Sequence, residues 1–393
     1  MGKLFEVIIL KKTIIKILSY VLVAVVASTT TVICFLAAQR KNSTKLQEVQ
    51  RVIDTYFIGD IDQSKLDDAA ASAMVDALGD RWSYYMTAEE YERYQQTMSN
   101  SYVGIGITIQ SKENDSGFEI IDVVNDGPAK AAGIQAGDII TAVDGTAVAG
   151  MDTSALSGLV RGEENTSVKL TIVRDEKKME FAVTRKKFQT PVATYQMLED
   201  KIGLITIENF DDRCAQETIA AIEALTDQGA KALIFDVRNN PGGYKHEMLK
   251  VLDYLLPKGP LFRAVDYKGK ETVDYSDEKH LDIPMAVIVN LNSYSAAEFF
   301  AAALDEYDTA VTVGEKTFGK GYFQNAIVLS DGSAINLSVG KYTTPNGVSL
   351  AGVGLTPQVE VAVDEDTAAK IAAGILPPEE DPQIIAAITA LKS

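Results

Sequence analysis

The sequence predicts an α/β protein with a mostly parallel sheet, preceded by a helical arm and a glycine-punctuated stretch of short strands, behind one membrane-spanning helix. Three observations predict it. From Lys187 onward, short apolar runs alternate with segments of helical spacing, the pattern of a sheet covered by helices. Between Tyr102 and Lys187 the runs are short and separated by turn residues. Ile17–Ala38 carries no charge over 22 residues, enough to cross the hydrocarbon at about 1.5 Å per residue.

Composition limits the chemistry. A chain of 393 residues with 46% hydrophobic content has core material for two or three domains and is neither disordered nor polytopic. The formal charge of -18 divides into +5 over residues 1–41 and -23 over the rest. So acidic a body, without a basic stripe, excludes nucleic acid as a partner. Two cysteines (Cys34, Cys214) and two histidines (His246, His280) leave no disulfide framework, no metal cluster and no material for a conventional histidine triad. No metal or cofactor is expected.

The N-terminal segment reads as an uncleaved anchor. Lys11, Lys12 and Lys16 precede the apolar run, which keeps residues 1–16 cytoplasmic, with 17–38 as the span and the acidic body outside. Arg40 and Lys41 on the far side oppose this weakly. The alternative is a signal peptide cleaved after Val25-Val26-Ala27, but the apolar run continues 11 residues beyond that point.

Residues 45–99 read as a helical arm. Leu46, Val49, Val52, Ile53 and Phe57 share a helix face, and Lys65–Leu78 is rich in alanine. Asp80-Arg81-Trp82-Ser83-Tyr84-Tyr85 interrupts the pattern, and Thr87-Ala88-Glu89-Glu90 forms a capping box that reopens a helix. The arm is expected to pack or dimerise and to carry no chemistry. In residues 100–187, Val103–Ile107 begins a strand and Phe118–Val124 is the next. Ala136–Ile140, the helix Thr153–Val160 and the hairpin Val168–Val173 with Met179–Val183 follow. In 188–360 the strands are Ile202–Ile207, Ala232–Asp236, Met285–Asn290 and Thr309–Val313, and the helices Glu217–Leu225, Tyr244–Leu256 and Ala296–Leu304. A hairpin joins Asn325–Leu329 to Ala334–Val339 about Asp331-Gly332. Residues 361–393 form a C-terminal, helical segment.

Three stretches carry candidate chemistry. Asp236–Gly243 leaves a buried strand for a helix, and its glycines permit close approach and free N–H groups. Asn292–Glu298 places Ser295 at a helix N-terminus, beside unpaired N–H groups that suit a developing oxyanion. An ordinary capping box, Ser295-x-x-Glu298, explains the same residues. Gly319–Gln324 holds Lys320 between glycines and apolar residues, and burial there lowers an amine's pKa toward that of a general base. A solvated loop lysine is the plain alternative. No phosphate loop is present, since Gly321-Tyr322 follows the lysine.

Taken together these residues resemble known families. Residues 100–187, with Gly104-Ile105-Gly106-Ile107 and Gly133-Ile134-Gln135-Ala136-Gly137-Asp138-Ile139-Ile140, resemble a PDZ domain. That implies a carboxylate-binding loop at Val103, Gly104, Ile105 and Gly106, with a peptide added as a strand. Residues 45–393 resemble the C-terminal processing peptidases, serine enzymes with a PDZ domain inserted before a crotonase-like core. The motifs are Ser293-Tyr294-Ser295-Ala296-Ala297-Glu298, Gly314-Glu315-Lys316-Thr317-Phe318-Gly319-Lys320-Gly321-Tyr322-Phe323-Gln324, Asn239–Gly243, Tyr342–Gly347 and Gly352–Pro357. The serine and lysine stand 25 residues apart, the lysine and glutamine 4.

The resemblance implies Ser295 as nucleophile, Lys320 as general base and Gln324 as its orienter. It implies an oxyanion hole from the backbone of Ala296 with Gly242 or Gly243. A Ser–Lys pair needs no histidine, which suits this composition. Ser293 competes as nucleophile but stands further from the helix, and His246 lies inside one. Arg161 occupies a position at which the resemblance implies a link between PDZ domain and protease; a solvated turn arginine is the alternative. Departures from the pattern are Arg81, Tyr294, Ala297, Glu306 and Gln358, none of them at the three catalytic positions. The expectation is a membrane-anchored serine endopeptidase acting on proteins with accessible C-terminal tails, with a homodimer as one option for its assembly. The competing expectations are a catalytically inactive PDZ scaffold and an acyl-CoA enzyme, which has no use for the PDZ domain.

Overall fold

The computed structural model describes residues 16–34, 44–112 and 117–392, with two compact units, Met1–Ala70 and Ala71–Ser393. In the first, Lys16–Cys34 is a helix long and apolar enough to cross a membrane. The hydroxyls of Thr29, Thr30 and Thr31 donate back to carbonyls three or four residues earlier, which hides their polarity along an apolar helix. Residues 35–38 of the expected span, Lys11, Lys12, Arg40 and Lys41 lie outside the described residues. Lys45–Tyr56 follows as an amphipathic helix, capped by Thr44 and Gln47.

The second unit is built on a six-stranded sheet. Its order is Ala193–Met197, Ile202–Ile207, Ala232–Asp236, Met285–Val289, Ala310–Gly314 and Val359–Glu360, parallel except for the first pair. Its central strands are buried on both faces, which is why they read as unbroken apolar runs. Ile205, Ile207, Phe235 and Val287 face the helices Cys214–Asp227, Lys245–Leu255 and Ala296–Glu306. Ile202, Leu204, Ile234, Ala286 and Ile288 face the other way, where the C-terminal helix Pro382–Ala390 packs through Ile384 and Ala387. Buried Arg238 ties that helix down, reaching Asp236 at 2.6 Å and Asp381 at 2.8 Å. Ala296–Leu304 of the third helix is enclosed on all sides, and its alanines allow that.

A second sheet runs Tyr84–Met86, Ala334–Thr343, Pro260–Asp266 and Glu271–Tyr275, with Tyr322–Val328 also paired to the long strand. Three of these strands are absent from the sequence reading. Tyr84–Met86 lies in the segment taken there as a break, and Pro260–Asp266 with Glu271–Tyr275 is a charged hairpin without apolar alternation.

The third sheet, Ile107–Ser111, Phe118–Val123, Ile139–Val143, Ser167–Arg174 and Lys177–Thr184, carries the helix Thr153–Val160. The single strand expected from Val103 is two. Gly106 takes φ 75°, open to glycine at no steric cost, and turns the chain. Ser101–Gly104 therefore pairs outside the sheet with Lys186–Gln189, making a two-stranded stalk on which this lobe is carried. Asn100 and Asn209 exchange amide hydrogen bonds at 2.8 and 3.1 Å, and Arg213 donates to the carbonyls of Asn100 and Thr190, so the core grips both strands of the stalk at the Ser101/Gln189 end.

Candidate active site

Ser295 is the N-cap of Ala296–Glu306, but with φ 58° and ψ -124°. An ordinary cap sits in the extended region, so capping does not account for this conformation. A non-glycine residue held there stores strain of about 1–3 kcal/mol, which only a constraining environment sustains. Part of the constraint is Gly242, φ 90°: a Cβ there would stand 2.7 Å from Ser295 Cβ and 2.9 Å from the Ala296 nitrogen. The hydroxyl of buried Tyr342 approaches Ser295 Oγ at 3.4 Å. Burial pushes the Tyr342 phenol well above its usual range, so it remains a protonated donor.

Of the three backbone groups expected to make an oxyanion hole, two are available. Gly242 donates its N–H to Asn240 Oδ1 at 2.8 Å. Among the described residues, the N–H groups of Gly243 and Ala296 have no acceptor. Asn240 is itself anchored to the Ile207 carbonyl at 2.8 Å, which fixes the turn. Ser293 is excluded as a nucleophile: fully buried, its hydroxyl donates to the Val237 carbonyl at 2.7 Å and accepts from Asn290. His246 is exposed, packs its ring against Tyr244 at 5.2 Å and approaches Glu247 at 3.4 Å.

Glu298 joins the serine to the lysine loop. Completely buried, its carboxylate accepts from the Ser295 N–H at 3.0 Å, the Lys320 N–H at 2.9 Å, the Gly319 N–H at 2.6 Å and the Thr317 hydroxyl at 2.6 Å. Burial pushes this carboxyl up, against four donors that favour the charged form. Burial also lowers Lys320 to about 8, opposed by the charges of Glu298 and Asp80.

The three residues expected to act together share one site but are not hydrogen-bonded to one another among the described residues. The Lys320 amine lies over the ring of Trp82, 4.4 Å from its centroid. Gln324 Nε2 donates to Ser338 Oγ at 3.0 Å and to the Tyr322 carbonyl at 3.1 Å. Trp82 is packed by Phe318 at 5.7 Å and Tyr294 at 6.2 Å, and the Arg81 guanidinium stands 4.8 Å from the Trp82 and Phe318 rings. The expectation that residues 45–99 carry no chemistry is corrected: Asp80–Ser83 lines this site. An aromatic in an otherwise polar break was the available signal. Tyr342 was also missed, because its motif held no reactive group at the surface.

A second site lies on the third sheet. Val103, Gly104, Ile105 and Gly106 line a groove of about 230 Å³ together with Ile107, Ser157 and Val160. Arg161 lines it too and makes no ion pair among the described residues. Buried Arg185 fixes this helix end by donating to the Val160 carbonyl at 2.8 Å.

Comparison with known proteins identifies the families of the two lobes. Residues 201–361 match peptidase family S41, residues 119–174 a PDZ domain, and residues 26–90 the N-terminal domain of the activating protease CtpB. The carboxy-terminal processing protease CtpA of Bacillus subtilis is 33% identical over 82% of this chain and 69% of its own. A CtpA-like serine protease of Staphylococcus haemolyticus is 33% identical over 82% of this chain and 66% of its own. The chain thus spans about two thirds of the length of these relatives. A solved S41 structure from Bacteroides fragilis, 20% identical, shares the fold with a TM-score of 0.53 over 74% of this chain and 82% of its own. With family-wide similarity along both its PDZ and its catalytic segments, the chain belongs to the carboxy-terminal processing serine proteases of peptidase family S41.

Proposed function

We propose that this protein is a membrane-anchored serine endopeptidase that captures the C-termini of extracytoplasmic proteins and cleaves the adjoining chain. The groove beside Gly104 and Gly106 takes the tail as an added strand, with the terminal carboxylate at the loop. The crotonase-like core supplies the chemistry. Ser295 Oγ attacks the scissile carbonyl, and the neutral Lys320 amine takes its proton and later delivers it to the leaving amine. Gln324 orients the amine. The oxyanion forms at the N–H groups of Gly243 and Ala296, which are oriented before the substrate arrives. Lys16–Cys34 serves as the anchor, with the catalytic unit outside the cytoplasm.

The observation that carries this reading is the strained Ser295 beside two uncommitted N–H groups. A cap requires neither. The separation of Ser295, Lys320 and Gln324 supports a second reading, an inactive PDZ scaffold, unless the triad assembles when substrate binds.

One experiment divides the two. A reporter protein ending in an apolar tail is incubated with full-length protein in detergent, wild type beside Ser295→Ala and Lys320→Ala. Cleavage by wild type alone supports the protease; tail binding without cleavage in all three supports the scaffold.

A further inference from the structure

We propose that Trp82 is a positioning residue for Lys320, its ring docking the protonated amine apart from Ser295, so that the lysine becomes a base only by leaving the ring. The inference rests on the reading of Lys320 as general base and names a residue that governs when it can act.

Two independent contacts of the Asp80–Ser83 turn carry it. The first is the lysine itself. Its Nζ lies 4.4 Å from the Trp82 centroid, where an aromatic face attracts a cation but not a neutral amine. The second is Gln324. The same turn holds its partner strand, since Ser83 Oγ accepts from the Ser338 N–H at 3.0 Å and donates to Asp80 at 2.6 Å. Ser338 Oγ in turn accepts from Gln324. Asn336 donates to the Trp82 carbonyl at 3.1 Å, and Tyr84 pairs with Asn336 in the strand register, so the backbone that carries the ring is anchored to the sheet. One turn thereby contacts the Lys320 amine directly and the strand residue that holds Gln324.

The charges that act on the amine are Asp80 on the turn and Glu298 on the buried helix; Arg81 and Tyr294 pack on the Trp82 ring, and Ser338 and Tyr342 on the long strand bond Gln324 and Ser295. Asp80, Glu298 and the ring favour the ammonium; Arg81, over the same ring, opposes it. Removing the aromatic face while keeping apolar cover subtracts one stabiliser of the charged, docked form. Lys320 then loses its proton at lower pH.

The test is the pH profile of kcat/KM for full-length wild type, Trp82→Leu and Trp82→Tyr on a tailed substrate. Trp82→Leu is expected to move the acid limb downward, raising the ratio of activity at pH 6 to that at pH 8.5 by about three- to tenfold. Trp82→Tyr, which keeps an aromatic face, returns toward wild type. An unmoved limb in Trp82→Leu, or the same shift in both variants, overturns the proposal. A measurement without turnover guards against an inactive variant. Lys320 in Ser295→Ala protein, with and without Trp82→Leu, is labelled by acetic anhydride across pH, and the modified peptide is quantified by mass spectrometry. Lower-pH onset of labelling in the double variant supports docking, and coincident curves overturn it. Because labelling needs no cleavage, it reads the docking of Lys320 even if the protease reading itself fails.

Discussion

The carboxylate of Glu298 accepts the backbone N–H of Lys320 at 2.9 Å, fixing the lysine loop to the first turn of the helix that Ser295 caps. Every donor around Glu298 is aimed at an oxygen. Glu298→Gln puts an NH2 where an acceptor is required and strands a buried N–H, at a cost of about 1–3 kcal/mol. The variant is expected to unfold at lower denaturant and to lose tail cleavage, although residue 298 never meets substrate. Wild-type stability in Glu298→Gln argues against a tethering role.

Gly242 stands against the serine with no room for a side chain. In Gly242→Ala the methyl must displace Ser295 or the Ala296 nitrogen, at a φ of 90° that alanine disfavours. A shift of about 1 Å at a reacting atom costs on the order of 100-fold in rate. Cleavage should fall by that factor or more. Binding of a C-terminal peptide to the groove beside Gly104 and Gly106, which Gly242 does not line, should be unchanged when measured by fluorescence anisotropy. Retention of full activity contradicts the proposed placement of the oxyanion hole.

Burying Lys320 has a thermodynamic cost that follows from its pKa of about 8, below the usual 10.5. Between those values the unfolded chain holds more protons, so stability rises with pH across the window. Below about 8 the cost is fully in force. Lys320→Met, similar in length and uncharged, should therefore be more stable than wild type at pH 7 by about 1–3 kcal/mol. The gain should shrink toward pH 10. Urea unfolding at both pH values checks it; a gain that grows with pH contradicts the sign.

Arg161 places a guanidinium in the groove that also holds Gly104 and Gly106. A peptide with a free terminal carboxylate should bind Arg161→Ala about three- to tenfold more weakly than wild type, a modest loss because the side chain is solvated. An amidated peptide should lose little. Equal losses for the two peptides would show that the arginine contributes packing and not charge.

The sequence alone determined the order of lobes, the apolar strands of the parallel sheet, the helix Thr153–Val160 and the positions of Ser295, Lys320 and the glycines at 242 and 243. These are local properties: periodicity, capping chemistry, and residue types that few other environments tolerate. Tertiary structure alone decided which hydroxyl and which N–H groups remain free. The sequence ranks Ser295 above Ser293 by its place at the helix start, but only the fold turns one toward the Val237 carbonyl and holds the other at positive φ. Gly242 and Gly243 are equivalent until Asn240 takes the first N–H. The largest omission was Trp82, since cation–π contact and strand pairing with residues near 336 join parts of the chain that no local pattern connects. Hydrogen bonds and ring contacts across such separations depend on where the whole sheet puts its edges, which is the information a linear pattern does not hold.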